Sequence, residues 1–280
     1  MIKSVYMFTD LEGVAGVDDW DPRHREDAAS ARGVYERAEM QRLLTGEVNA
    51  AAEGLFAAGV REVLVNDAHG AGRTILVEEL IPGVQIARGR ERPGWVLGIS
   101  SRFDAFVQVG MHAMAGTPNA CLAHTQSRGY VYRIRTPQGM REFGEMEQAA
   151  LLVGELGIPW VITSGDAHAC REAEAWVPGM VTAPVKTGLA INCAIHMAPV
   201  DARALIRERV QAAVAAADQI APLKIAGPVV MEVVKDEPWP AQIRAGAERV
   251  DAFTLRYTGE SFWSVFHHHI RGRPDFPLPE

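Results

Sequence analysis

Three carboxylates and two imidazoles stand at positions from which they could hold divalent cations: Asp10, Glu12, His69, His112 and Glu145. Asp10 and Glu12 close the apolar run Val5 to Thr9, and a two-residue spacing in extended chain puts both carboxylates on one side. Gly13 follows, with backbone freedom for a tight turn. His69 lies just past a second apolar run ending in Asn66-Asp67, and His112 just past a third ending in Val109-Gly110. Glu145 opens a helix-forming stretch. This mixed oxygen and nitrogen set suits Zn²⁺, Mn²⁺ or Co²⁺ rather than Ca²⁺. Five ligands exceed what one catalytic zinc takes from protein, since it keeps a position open for water. With one carboxylate bridging, they serve two ions about 3.5–4 Å apart, which lower the pKa of a shared water to about 7 and polarise a carbonyl under attack. That is hydrolytic chemistry.

Each residue also has a plainer reading. An Asp at a strand end commonly caps a turn or helix. Glu145 at a helix start complements the macrodipole. His69 opens the loop His69-Gly70-Ala71-Gly72, where an imidazole is often a satisfied structural group. The joint pattern weighs more than any member, because open α/β sheets bind ligands at the carboxyl ends of their strands.

Strand-like and helix-like segments alternate through most of the chain, the pattern of an α/β fold with a mostly parallel sheet flanked by helices. Strands are expected at Val5–Thr9, Arg61–Asp67, Asp104–Gly110 and Trp160–Ser164. Helices are expected at Val34–Ala58, which Gly59 ends, and from Glu145 to Leu156. Two alternating runs within Tyr130–Glu142 flank Pro137-Gln138-Gly139 and predict a β-hairpin. Asp201–Ala217 reads as a helix that starts a separate, smaller C-terminal α+β portion, with strands near Val229–Val234 and Phe253–Tyr257 and a helix at Ala241–Ala247. The expected division is a metal-binding α/β domain at residues 1–198 and a smaller domain at 199–280.

Across 280 residues the formal net charge is −7, which disfavours non-specific nucleic-acid binding. Cys121, Cys170 and Cys193 are widely spaced and odd in number, which fits a reducing compartment and opposes a disulfide framework or a cysteine zinc site. The apolar start is too short for a signal peptide, and no run is long enough to span a bilayer, so a cytoplasmic location without membrane contact is expected.

Phe8-Thr9-Asp10-Leu11-Glu12-Gly13-Val14-Ala15-Gly16 resembles the D-x-E-G-x-x-G signature of the DppA-type D-aminopeptidases. The resemblance continues in Val63-Leu64-Val65-Asn66-Asp67-Ala68-His69, in Gly110-Met111-His112-Ala113, in Ala123-His124 and in Phe143-Gly144-Glu145, with weaker matches at Ser164-Gly165-Asp166 and Val185-Lys186. It covers about the first 190 residues, and the last 80 or so carry little that matches. It implies a cytoplasmic zinc-dependent peptidase that removes N-terminal D-amino acids from short peptides. It further implies two zinc ions per chain, with Asp10 bridging them and Glu12, His69, His112 and Glu145 completing the shell; by the donor set, Mn or Co could substitute. His124 would be the catalytic residue. A homo-oligomer is implied too, a decamer being the ring size it points to.

Taken by itself, His124 between small and apolar residues reads more often as a structural group, though an imidazole there could move a proton from water to a leaving amine. The family often has a second acid after Gly165-Asp166, where this chain has Ala167-His168, which leaves Asp166 and His168 as supporting or helix-capping candidates. His267-His268-His269 reads as native and structural, with an adventitious metal site as the alternative. Two other functions fit the same residues: a general metal-dependent amidase, deacylase or phosphoesterase, and a non-catalytic, metal-stabilised assembly protein.

Overall fold

The structure is a computed structural model that describes residues 2–70 and 72–280; Ala71, in the glycine-rich loop after His69, lies outside the described residues. The elements in chain order are β1 (Ser4–Thr9), α1 (Ala31–Ala57), β2 (Glu62–Asp67), β3 (Val84–Ala87), β4 (Ala105–Met111), β5 (Tyr130–Thr136) and β6 (Gly139–Glu142). They continue with α2 (Glu145–Glu155), β7 (Trp160–Asp166), α3 (Ala167–Trp176), β8 (Val181–Ala190), β9 (Cys193–His196) and α4 (Pro199–Ala216). The chain closes with β10 (Val229–Lys235), β11 (Glu248–Arg249), β12 (Thr254–Gly259) and α5 (Phe262–Arg271).

Seven strands form one sheet in the order β3-β2-β1-β4-β7-β8-β9, parallel from β3 to β8, with β9 antiparallel at the edge. β1 is buried along its whole length, as a central parallel strand covered on both faces must be. Its alternate side chains feed two cores. Val5 and Met7 meet Leu44 and Val48 of α1 and Ile206 of α4 on one face. Tyr6 and Phe8 share the other face with Phe106, with Leu151 of α2 and with Phe266 of α5. The α/β class expected from the alternating pattern is thus the fold observed.

A second, antiparallel sheet runs β11-β12-β10-β5-β6. Its β5–β6 hairpin is the one expected around Pro137-Gln138-Gly139, with Thr136 paired to Gly139. β5 pairs with β10 in the register Met231 to Ile134 and Val233 to Tyr132. Residues before 198 therefore complete the C-terminal sheet, while α4, beyond 198, packs on α1, β7 and β8 of the large sheet. Packing on both faces crosses the boundary expected at residue 198.

The helix expected at Ala241–Ala247 is absent: these residues form turns, with Gly246 at φ +82°. Seven residues cannot repay helix nucleation without a packed face. Here the chain is held instead by the Arg249 guanidinium on the Trp239 and Pro240 carbonyls. Among the described residues, no helix is long and apolar enough to cross a membrane.

Glu47 is an acid sealed inside α1, where it accepts a hydrogen bond from the Ala15 amide at 2.9 Å. Burial pushes its carboxyl up to about 7, against the pull of that bond and of the Lys186 and Arg203 charges. The folded chain therefore holds a proton there that the unfolded chain releases near its ordinary value, so stability falls as pH rises between the two. Glu47→Gln keeps the acceptor and removes the titration. The variant should gain on the parent between pH 5 and pH 8, by about 3 kcal/mol at most, in urea unfolding at both pH values. Parallel pH dependence of the two proteins would contradict this.

Candidate metal centre

The order β2-β1-β4 sets three strand exits side by side; the chain runs from β1 to β2 and β3 on one side and resumes with β4 on the other, and that reversal opens a crevice between β1 and β4. Asp10 follows β1 and its amide bonds the Val109 carbonyl at 2.9 Å. Gly13 is not in the left-handed region, so the turn expected of it is not what requires a glycine. Close approach is. A Cβ on Gly13 would stand 1.9 Å from the Met111 carbonyl oxygen, and one on Gly110, at φ +78°, would stand 2.2 Å from the Asp10 carbonyl oxygen. These bare backbones let the β1 and β4 exits touch, so that His112 Nε2 reaches 3.2 Å from Asp10 Oδ2.

The six expected side chains converge. His69 Nδ1 lies 2.8 Å from Asp10 Oδ1 and 3.0 Å from Glu12 Oε2. His112 Nε2 lies 3.6 Å from Glu145 Oε1, and His124 Nε2 lies 3.7 Å from the same oxygen. The His112 and His124 rings stack with centroids 4.1 Å apart. Ligand atoms of Asp10, Glu12 and His112 fall within 4.8 Å of one another, as do those of His112, His124 and Glu145. Asp166 and His168 lie elsewhere: Asp166 caps α3 by accepting from the His168 amide at 2.8 Å and also accepts from the Cys121 amide at 3.1 Å. His267, His268 and His269 belong to α5 and contact the Trp263 carbonyl, the Ala245 carbonyl and the Tyr132 hydroxyl, respectively.

Asp10 Oδ1 does accept from the Leu11 amide at 2.8 Å, but Oδ2 is left facing His112. Glu145 does not cap its own helix: Glu147 takes that role through the Gly144 amide at 2.7 Å, and Glu145 Oε1 accepts from the Gln126 amide at 2.7 Å.

Tautomers sharpen the picture. His112 Nδ1 sits 2.9 Å from the Ala113 carbonyl and must donate to it, so in the neutral ring Nε2 carries a lone pair. That lone pair faces two carboxylates. The atoms Glu12 Oε2 and His112 Nε2 are buried and lack a hydrogen-bond partner among the described residues. Acceptors converging on acceptors in a buried place require a cation between them, whether protons or metal. With protons alone, burial would lower both imidazoles, but the surrounding acids win, raising His69 well above its ordinary value and His112 to about 10. Burial likewise works to raise Asp10, and the His112 and His69 contacts outweigh it, holding the carboxyl well below the usual range. Glu145 goes the other way, raised by burial despite His112 and His124.

Asp21 was not legible in the sequence, and Lys186 was marked there only by a weak resemblance with no role attached. Asp21 Oδ2 lies 3.2 Å from His69 Nε2, on the side of the ring away from Asp10, and is itself held by the Arg23 amide at 2.8 Å. A carboxylate behind a histidine fixes its tautomer and leaves Nδ1 free to ligate. Asp21 comes from an irregular segment, Asp18-Asp19-Trp20-Asp21, in which periodicity singles out no one acid. Lys186, on β8, is buried and its Nζ donates to the carbonyls of Glu12 and Val17, clamping both ends of the loop that carries Glu12. A pocket of about 400 Å³ opens over the cluster, with Phe8, Trp20 and Trp95 among its walls.

Buried acids facing histidines at the switch point of a parallel sheet define a metal-binding α/β enzyme. Residues 4–269 match the family model described as D-aminopeptidase, and the chain belongs to that family. The D-aminopeptidase of Bacillus subtilis (strain 168) is 30% identical over 220 residues, 78% of this chain and 76% of the relative. The solved structure of the Zn-dependent D-aminopeptidase DppA from Bacillus subtilis, a self-compartmentalizing protease, superposes with a TM-score of 0.82 at 25% identity, covering 95% of each chain. The chain is thus a hydrolase, a metal-dependent aminopeptidase.

Lys186→Met should strand two buried carbonyls and the Asp166 charge that acts on the ammonium. A loss of about 3 kcal/mol in urea unfolding is expected; a change below about 0.5 kcal/mol would mean the clamp carries no weight.

Proposed function

We propose that the chain hydrolyses the N-terminal amide bond of short peptides that begin with a D-residue, using two zinc ions held by Asp10, Glu12, His69, His112 and Glu145. The observation that carries this reading is the His112 Nε2 lone pair aimed at Asp10 Oδ2 and Glu145 Oε1, with Glu12 Oε2 unpartnered nearby. The donor set is the mixed nitrogen and carboxylate kind that zinc takes, with manganese and cobalt as substitutes. The zinc dependence in the relative's description supports the same metal.

When bound, the ions supply Lewis acidity and a water of lowered pKa. The protein's own part is positioning and proton transfer. Asp10 turns Oδ1 toward His69 and Oδ2 toward His112, the disposition of a bridging carboxylate. His124 Nδ1 is 2.9 Å from the Leu122 carbonyl and donates to it, which leaves Nε2 as the acceptor facing Glu145. Nε2 can then take the proton of the attacking water and return it to the leaving amine. Leu122 and Gln126, on either side of it, hold φ of +54° and +64°, a strained backbone of the kind kept where a side chain must be aimed. Phe8, Trp20 and Trp95 give the pocket an apolar wall beside the cluster.

Asp10→Ala should remove both ions by elemental analysis and abolish cleavage of D-alanyl dipeptides; full zinc content in the variant would refute its bridging role. His124→Ala should keep its zinc and lower kcat by about 10²–10⁴-fold, and an unaltered kcat would reject it as the proton carrier.

We also propose a cytoplasmic homo-oligomer, a decameric ring, as the working form. The relative's self-compartmentalizing description supports assembly. So do Leu189, Ile191, Ile195 and Val200, large apolar side chains exposed around the β8–β9 hairpin and the start of α4. Sedimentation velocity should give a single large species that Ile195→Asp shifts to smaller ones; a monomeric parent protein would refute the assembly.

A further inference from the structure

Arg128 is the one Arg or Lys among the described residues that line the pocket, which otherwise presents Asp10, Glu12 and Glu145. Its guanidinium lies over the Trp20 ring, 5.0 Å from the centroid, and Trp20 in turn sets its ring against His124 at 5.2 Å and 78°. Nearby arginines are spent on acids: Arg23 on Asp21, and Arg25 on Asp19, Asp27 and Glu36. Among the described residues Arg128 has no such partner, and its planar fork is held by an aromatic face rather than by a carboxylate.

The segment that carries it is pinned at both ends. The Gln126 amide bonds Glu145 Oε1 at 2.7 Å, and the Gly129 carbonyl accepts from the Asp236 amide at 3.0 Å. The backbone on both sides of Arg128 is therefore anchored, and Arg128 lines the same pocket as Glu145 and His124. An exposed arginine is usually only solvated. This one is stacked, pinned, unpaired and aimed into an acidic pocket.

We infer that Arg128 binds the C-terminal carboxylate of the peptide and so restricts the enzyme to very short peptides with a free C-terminus. The inference rests on the aminopeptidase reading, which places the N-terminal residue at the acid and histidine cluster. The far end of a short substrate then reaches Arg128, and a guanidinium matches a carboxylate by two parallel hydrogen bonds. A longer or C-terminally capped peptide offers no carboxylate at that distance.

The test uses the metal-loaded protein and two pairs of probes. D-Alanyl-D-alanine and its C-terminal amide are the substrates. A reduced-amide isostere of the same dipeptide, as acid and as carboxamide, gives binding without turnover. In calorimetry the acid isostere should bind at least about tenfold more tightly than the carboxamide, and kcat/KM should favour the acid substrate by a similar factor. Arg128→Gln should bring both ratios toward one, while Arg128→Lys keeps part of the preference. Equal binding of acid and carboxamide by the parent protein overturns the assignment, as does a preference that survives in Arg128→Gln. Preserved discrimination in binding without hydrolysis of either substrate would remove the aminopeptidase reading and leave the carboxylate site standing.

Discussion

Hydrogen-bond acceptors pointed at one another inside a protein are the constraint on which this structure turns. Asp10, Glu12 and Glu145 are brought together with histidine nitrogens whose other ring atoms are already committed, His112 to the Ala113 carbonyl and His69 toward Asp21. Left dry and empty, such a cluster costs several kcal/mol per unpaired charge. A divalent cation reverses the sign of every one of these contacts. Structure and chemistry are then the same fact: what makes the site unfavourable by itself makes it a strong ligand for a metal.

The scaffold works to impose that convergence. Parallel strands order β2, β1 and β4 as neighbours, and two glycines, Gly13 and Gly110, let their exits come closer than any side chain would permit. Lys186 reaches from β8 to hold the loop around Glu12, and the Gln126 amide ties Glu145 to the segment that carries His124. α2 frees Glu145 for the cluster by giving its capping duty to Glu147. Each of these contacts removes freedom that the ligating groups would otherwise have to lose on binding.

How much of this the sequence disclosed follows from the range of each interaction. The alternating α/β pattern, the β5–β6 hairpin and the strand-end positions of Asp10, His69 and His112 are local signals, and each could be read from its own segment. Their convergence was readable because parallel sheets place strand exits on one edge. Asp21 was hidden because its role depends on a ring far along the chain, whereas Lys186 was marked only by the weak Val185-Lys186 resemblance, which named no role for it. Gly13 does lie in the turn its letter suggests, but the demand for a glycine comes from Met111 on another strand, which no local pattern discloses. The false helix at Ala241–Ala247 shows the converse, a local preference that found no face to pack against.

The most direct check is anomalous scattering at the zinc absorption edge, measured on crystals of the zinc-loaded protein. Two peaks are expected, one on each side of the Asp10 carboxylate, with His69 beside one and His112 beside the other. Density without any peak among these five side chains, or a single ion bound elsewhere on the chain, would contradict the account.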